Sequence, residues 1–439
     1  MTVRSTKEQR AWYWYDWANS AFPTTVVALF LGPYLTSLAK AAADGDGMVR
    51  PLGIALAAQS VWPYTVSLSV FMQVFALPLA GALADYGRNK REMLAVLTAG
   101  GSLATMAMFG LTGSAWIAGV ALFLIANLCF GAAIVVYNSF LPEIAEAADR
   151  DAVSSRGWAF GYFGGGLLLA LNLALYSFSE RLGLSSGLAV RISLASAGVW
   201  WALFAIYPLT TLRDRGQANV PPPGQTAVGA AIRQMAHTFA EVRRFPHTMT
   251  FLAAYLIYND AIQTVFTMAV QFGSEELKLG LDTLTSAVLV VQFVAFGGAV
   301  GFNWIAKVVG ARRAVMIGLV VWCATLVAIY LWVYTARGFY MAASAIGLVM
   351  GGTQALSRSV FSFLIPKGKE GEYFSVYEIS DKGTSWLGPL FFGLGLQLTG
   401  SFRVAILSLI VFFVAGLILL SRVDVGKGAE AVGNSPPPL

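Results

Sequence analysis

Charge is scarce in this chain. Only 12% of its 439 residues are Asp, Glu, Lys or Arg, about half the share usual in soluble domains. Histidine is scarcer still, with only His237 and His247, both in one polar segment. Cysteine is limited to Cys129 and Cys323, each inside an apolar run. Two cysteines make no disulfide framework, and with so few histidines they cannot furnish a Cys/His metal site. No G-x-x-x-x-G-K-[ST] phosphate loop and no H-E-x-x-H occurs. Self-contained ATP drive is thereby excluded, and an intramembrane enzyme would lack its commonest general base. No cofactor, no metal and no enzymatic activity are expected. The opening MTVRSTKEQRAWYWYDW is too polar and aromatic for a cleavable signal peptide.

Apolar sequence is what the chain has in abundance. Hydrophobic residues make up 57% of it, and mean hydropathy is +0.67. Runs of about 20 apolar residues, the length that crosses a bilayer, recur from residue 12 to residue 421. They number twelve, the first at 12–38, the seventh at 248–272 and the eleventh at 373–398. The fold expected is an all-α polytopic membrane protein with 12 transmembrane helices in two pseudo-symmetric six-helix bundles. Its parts are an N-terminal half at 1–211, a linker at 212–247, a C-terminal half at 248–425 and a disordered tail at 426–439. The linker carries Pro221-Pro-Pro223-Gly224, a stiff non-helical spacer. Beyond it, Ile232, Met235, Phe239 and Val242 recur at helical spacing, which predicts a short amphipathic surface helix over 230–245.

Net charge of +6 would suggest nucleic acid in a soluble protein, but here topology explains it. Of the 29 Lys and Arg residues, 20 fall at the N-terminus, the C-terminus and the alternate loops that share their side. Seven fall on the other side, and Arg358 and Lys382 lie within spans. The positive-inside rule then puts both termini in the cytoplasm of a multi-pass inner-membrane protein.

The halves echo one another. Tyr15-Asp16-Trp-Ala-Asn19 in span 1 is echoed by Tyr258-Asn259-Asp260 in span 7. Gly87-Arg88-Asn-Lys90-Arg91 is echoed by Gly310-Ala-Arg312-Arg313, and Ser139-Phe-Leu-Pro142 by Phe363-Leu-Ile-Pro366. Parallel six-helix repeats are an established transporter plan, with substrate bound between them at mid-depth.

Gly81-Ala-Leu-Ala-Asp85-Tyr-Gly87-Arg88-Asn-Lys90-Arg91 resembles the loop 2–3 signature of the major facilitator superfamily. The resemblance implies a gate in which Gly81 and Gly87 allow close helix contact. Asp85, with Arg88 and Arg91, would latch the cytoplasmic side. Tyr86 replaces a usual cation, and Val308 stands where the second copy would hold an Asp, so a one-sided latch is expected. Tyr15–Phe22, Phe251–Asp260 and Gly352–Ser359 together resemble one branch of that superfamily. Its eukaryotic members are autophagy-linked vacuolar effluxers of amino acids. Lys382 also fits the branch, whereas Ala261 departs from a usual Gly. Amino-acid efflux is what the resemblance implies.

Ionisable groups within a bilayer are costly and face a cavity or a partner. Asp260 lies about twelve residues into span 7, roughly 18 Å of helix rise, near mid-membrane. With Asn259 and Gln263 it is the first candidate for proton or substrate-amine binding, against a structural carboxyl that stabilises helix contacts. Asp16 and Asn19 form a second candidate, against an interfacial capping role for Asp16. Arg358 could take a substrate carboxylate bidentately or pair with Glu378 or Asp381. Glu378 and Lys382, spaced i,i+4, neutralise each other, and these three span-11 residues read as a gating network. Gly157, Gly161 and Gly165 read as a packing ladder, and Trp12, Trp14 and Trp17 as an interface belt.

The expected function is secondary transport of a small solute by alternating access, coupled to protons. Its partners would be the solute, protons and the bilayer, with a monomeric state and no nucleic acid. A lipid or drug exporter and a non-transporting membrane scaffold are the alternatives.

Overall fold

A computed structural model describes residues 6–86, 89–144, 150–214, 229, 233, 243–366, 377 and 386–434. The chain divides into two compact units, Met1–Arg233 and Gln234–Leu439. The first unit contains α1 (Lys7–Ala42), α2 (Val61–Tyr86), α3 (Lys90–Ala107), α4 (Trp116–Asn138), α5 (Arg150–Ser177) and α6 (Ser186–Thr211). The second contains α7 (Pro246–Glu275), α8 (Leu281–Val309), α9 (Ala311–Trp332), α10 (Ala336–Phe363), α11 (Leu387–Thr399), α12 (Phe402–Ser421) and a short α13 (Val425–Ala431). Helices α1 to α12 are the twelve spans, six in each half. Among the described residues, eight helices are long and apolar enough to cross a bilayer. Shorter apolar helices fall within α5, α8 and α11, and α7 runs for 30 residues. The one sheet among the described residues is a hairpin, β1 (Met48–Val49) with β2 (Leu56–Ala57), between α1 and α2.

Local sequence explains the helix starts. Thr6 accepts from the Gln9 N–H at 3.1 Å, and the Gln9 side chain accepts from the Thr6 N–H at 2.9 Å. This capping box starts α1 at Lys7, earlier than the apolar run suggests. Pro23 then removes one backbone donor, and the ladder widens into a π-helical stretch over Phe22–Phe30 before the α geometry resumes at Leu31. In the second unit α8 and α10 cross closely at glycines. A Cβ at Gly298 would collide with the Leu348 carbonyl, and one at Gly351 with the Ala295 carbonyl. Without a hydrophobic drive between helices in lipid, such small-residue contacts set the packing.

Arg403 ties three helix ends together. Its guanidinium meets Glu276, just past α7, at 2.7 Å. It also donates to the carbonyls of Ile329, Tyr330 and Val333 at the end of α9, at 3.0, 3.0 and 2.6 Å. The Tyr334 ring lies 3.9 Å away. The last carbonyls of α9, left without helical partners, thereby find donors.

Two expectations are corrected. The tail is ordered through Asn434: Asp424 caps α13 by accepting the Lys427 N–H, and the Asn434 carboxamide donates to the Phe363 and Ile365 carbonyls at 3.0 and 2.7 Å. The end of α10 presents unspent acceptors there, and the tail supplies their donors. Trp12 is no interface residue. It is 2% exposed, donates to the Tyr137 carbonyl at 3.1 Å and stacks on the Tyr137 ring at 4.4 Å. Trp14 and Trp17 stack instead on Phe204 and Trp200 of α6. The amphipathic helix expected over 230–245 lies almost wholly outside the described residues.

Candidate functional site

The first half holds its intramembrane carboxylate between α1, α4 and α5. Asp16 sits well inside α1, whose cap is Thr6, so the capping alternative for Asp16 is set aside. The Tyr137 hydroxyl of α4 lies 2.8 Å from Asp16 Oδ2 and 3.1 Å from the Trp12 carbonyl oxygen. On the α5 side the glycine ladder makes room. A Cβ at Gly157 would lie 2.6 Å from Asp16 Oδ2, and one at Gly161 would lie 2.6 Å from Ser20 Oγ. Gly165 meets the Ser20 carbonyl in the same way at 3.0 Å. The ladder does pack, and what it packs against is the carboxylate's own face of α1. Asn19, one turn beyond Asp16, is 3% exposed, and its amide nitrogen finds no acceptor among the described residues. A buried donor without a partner costs about 1–3 kcal/mol, so a water or a polar ligand is called for there.

The second half repeats the theme. Asp260 on α7 is 1% exposed and accepts the Gly388 N–H, in the first turn of α11, at 2.9 Å. Early N–H groups of a helix lack intrahelical partners and favour an anion. Gly388 leaves that space open, since a Cβ there would lie 2.9 Å from Asp260 Oδ1 and would collide with Thr264 Oγ1. Asn259 is buried beside Asp260, while Gln263 is half-buried one turn on. The neighbouring Tyr258 hydroxyl meets Ser357 Oγ of α10 at 2.6 Å. Each half therefore sets a carboxylate of its first helix against a glycine of its fifth, with a hydroxyl residue four positions along, Ser20 or Thr264.

Other expected site residues are dispersed. Arg358 is exposed near the end of α10. Gly81 of α2 comes within 3.4 Å of Val135 Cγ1 on α4, measured from an added Cβ. Arg91 is exposed, and its backbone N–H donates to Asp214 at 2.9 Å. Gly87, Arg88, Glu378, Asp381 and Lys382 lie outside the described residues, and so does the side chain of Asp85. Sequence reasoning missed Tyr137 and an ion pair between Lys90 Nζ and Glu143 at 2.6 Å. Glu143 directly follows the echoed Ser139–Pro142 stretch, a signal that could have found it.

Outside the spans, two carboxylates are tuned by local donors. The Met48 N–H, 2.9 Å from Asp44, holds that carboxyl below the usual carboxylate range, with the Arg50 guanidinium adding to it. The Lys427 N–H does the same for Asp424, helped by the Lys427 ammonium.

Comparison with known proteins settles the family. Residues 4–433 match the family described as "Vacuole effluxer Atg22 like". The chain belongs to that family. It is 28% identical over 426 residues to an uncharacterized MFS-type transporter, YxiO, of Bacillus subtilis, with 96% of each chain covered. It is 25% identical to autophagy-related protein 22 of Botryotinia fuckeliana, covering 87% of this chain and 77% of that one. Among solved structures, a mutant form of the nucleoside transporter NupG superposes with a TM-score of 0.69 at 14% identity, over 94% of this chain and 98% of that one. A D-xylose-proton symporter gives 0.62 at 15% identity, over 96% and 97%. The fold of this Atg22-like chain is that of the major facilitator superfamily, and the protein is a multi-pass membrane transporter of that type, not an enzyme.

Proposed function

We propose that this Atg22-like transporter exports amino acids or related small amine-bearing solutes by alternating access, coupled to protons. It would work across the inner membrane with both termini cytoplasmic. The observation that carries the reading is the pair of intramembrane carboxylates, Asp16 and Asp260, each seated in a gap left by a glycine. Charge kept in a bilayer at such cost marks substrate or proton handling. The unspent Asn19 donor supports a polar ligand. Asn259, Gln263 and Arg358 are the further solute contacts proposed. Gly81, Asp85, Gly87, Arg88, Arg91, Glu378, Asp381 and Lys382 are proposed for gating.

The test is pH-resolved thermal shift of the purified protein against amino acids, peptides and organic anions. Amino acids should stabilise the wild type, and Arg358→Ala should remove that effect. Its pH dependence should vanish when Asp16→Asn and Asp260→Asn are combined. Stabilisation by lipids or apolar drugs that ignores all three changes would replace this reading with a lipid or drug exporter.

A further inference from the structure

Resting on the proton-linked reading above, we propose that Asp16 is the carboxyl that exchanges the proton and that the Tyr137 hydroxyl is its two-way partner. Asp260, on this account, stays in place as the anchor of α11.

The argument is one of donors and acceptors. A phenolic hydroxyl can both donate and accept. The Tyr137 oxygen has two acceptors within reach, Asp16 Oδ2 at 2.8 Å and the Trp12 carbonyl oxygen at 3.1 Å. With Asp16 ionised, the hydroxyl donates to the carboxylate. When a proton arrives from water, it stays on the carboxyl oxygen, and the new O–H donates to the Tyr137 oxygen. The phenolic hydrogen then turns to the Trp12 carbonyl, one helical turn away on α1. The O–H formed at Asp16 replaces the one broken in the hydronium that delivers the proton, and no other covalent bond changes. Both states leave the buried groups satisfied, so neither carries the penalty of an unmade hydrogen bond.

The ring that carries this hydroxyl is held firmly. Tyr137 stacks on Trp12 at 4.4 Å and on Tyr15 at 4.9 Å, and Trp12 donates back to the Tyr137 carbonyl. Only the hydroxyl rotor has to move.

Among the described residues that face Asp16, Tyr137 is the one that donates to its carboxylate. From α4 comes Tyr137 itself, and from α5 come Gly157 and Gly161, which carry no charge. Arg156, beside Gly157, is exposed and makes an interaction of its own. From α6 come Trp200 and Phe204, stacked on Trp17 and Trp14. On α1, Tyr13 is an aromatic neighbour of Trp12, and the Tyr15 hydroxyl is engaged with Thr98 Oγ1 of α3 at 2.8 Å.

Asp260 has a partner of a different kind. The Gly388 N–H, 2.9 Å away, can only donate, so that bond serves the ionised carboxylate and gains nothing from the acid. Protonation there would weaken the bond that seats the start of α11. Asp260 is also 1% exposed, whereas Asp16 is only half-buried.

The experiment is an infrared pH titration of the full chain in proteoliposomes, following the C=O stretch of protonated carboxyl groups. Wild type, Asp16→Asn, Asp260→Asn and Tyr137→Phe are compared over roughly pH 5 to 8. A band that titrates in the wild type and in Asp260→Asn, and is missing in Asp16→Asn, is the expected result. Tyr137→Phe keeps the stacked ring and removes a hydroxyl whose charge-assisted bond to the anion is stronger than the neutral bond it accepts from the acid. It should move the midpoint up by about one pH unit, a tenfold tighter hold on the proton. That shift also assigns the band to Asp16 if either Asn variant fails to fold. Loss of the band in Asp260→Asn alone would overturn the assignment while leaving proton linkage standing. An unmoved midpoint in Tyr137→Phe would overturn the two-way partner. No titrating band in the wild type would overturn both this inference and the proton-linked reading.

Discussion

Two glycines on one helix should answer differently to the same added methyl group. At Gly157 a Cβ would intrude on Asp16 Oδ2 and on the Trp12 ring, whereas at Gly166 nothing lies within 4 Å. Gly157→Ala should cost about 1–3 kcal/mol as an overpacked contact and should displace the carboxylate from the Tyr137 hydroxyl. Gly166→Ala should be neutral or stabilising by up to about 1 kcal/mol, since alanine restricts the unfolded chain. Thermal melts of the two variants beside the wild type check this, and equal losses would refute the account of α5. The Gly157 ladder was legible as a repeat of small residues four apart. Its true neighbour was not, because Asp16 is 141 positions away and no local pattern joins the two. Tyr137 was hidden for a related reason: in an apolar run a tyrosine counts as bulk, and its hydroxyl acquires meaning only when α1 is set beside α4.

At the scale of elements, the helix ends decide more than the helix middles. Arg403 holds one such end, with 12% of its side chain exposed and a Glu276 partner at 25%. Arg403→Ala would strand the Glu276 carboxylate and uncover carbonyls at the end of α9, a loss of about 1–3 kcal/mol for unmade hydrogen bonds to a half-buried charge. Arg403→Lys should recover little, because an ammonium cannot span Glu276 and three carbonyls at once. Chemical or thermal unfolding of both variants measures it, and full rescue by lysine would mean that charge alone matters there. The C-terminal segment makes the complementary case. Its Gly- and Pro-rich composition reads as disorder, yet Asp424 caps α13 and Asn434 reaches the carbonyls of Phe363 and Ile365. Composition does not reveal acceptors left over on another helix. The Asp424 carboxyl is held below its ordinary value by the Lys427 N–H. Its contribution is therefore present above the unfolded-state value near 3.9 and is lost as pH falls through the lower folded value. Amide exchange across Val425–Ala431 should stay slow at neutral pH. In strong acid, Asp424→Asn should narrow the gap between the two conditions, and an acid-independent pattern would show that the cap does not hold α13.

For the whole molecule, the spans were the most legible feature, because the hydrocarbon core imposes a length that apolar runs must meet. What the runs left open was the irregular part of α1, where Pro23 in a well-packed helix produces a π-helical stretch rather than a break. Orientation rests on a different physics, the asymmetry of 20 Lys and Arg residues against seven. Retention of cationic loops on the cytoplasmic side predicts a reporter pattern along the chain. Green fluorescent protein fused after Leu439 should fluoresce, and alkaline phosphatase fused there should be inactive. Phosphatase inserted at Gly113, in the turn between α3 and α4, should be active. The reverse pattern would place Lys90, Arg91 and Glu143 on the outer face and would leave the loop between α2 and α3 unable to act as a cytoplasmic gate. Export would then need a different closing element. A matching pattern would put that loop, with its Lys90–Glu143 pair at 2.6 Å, on the side from which an exported solute must enter.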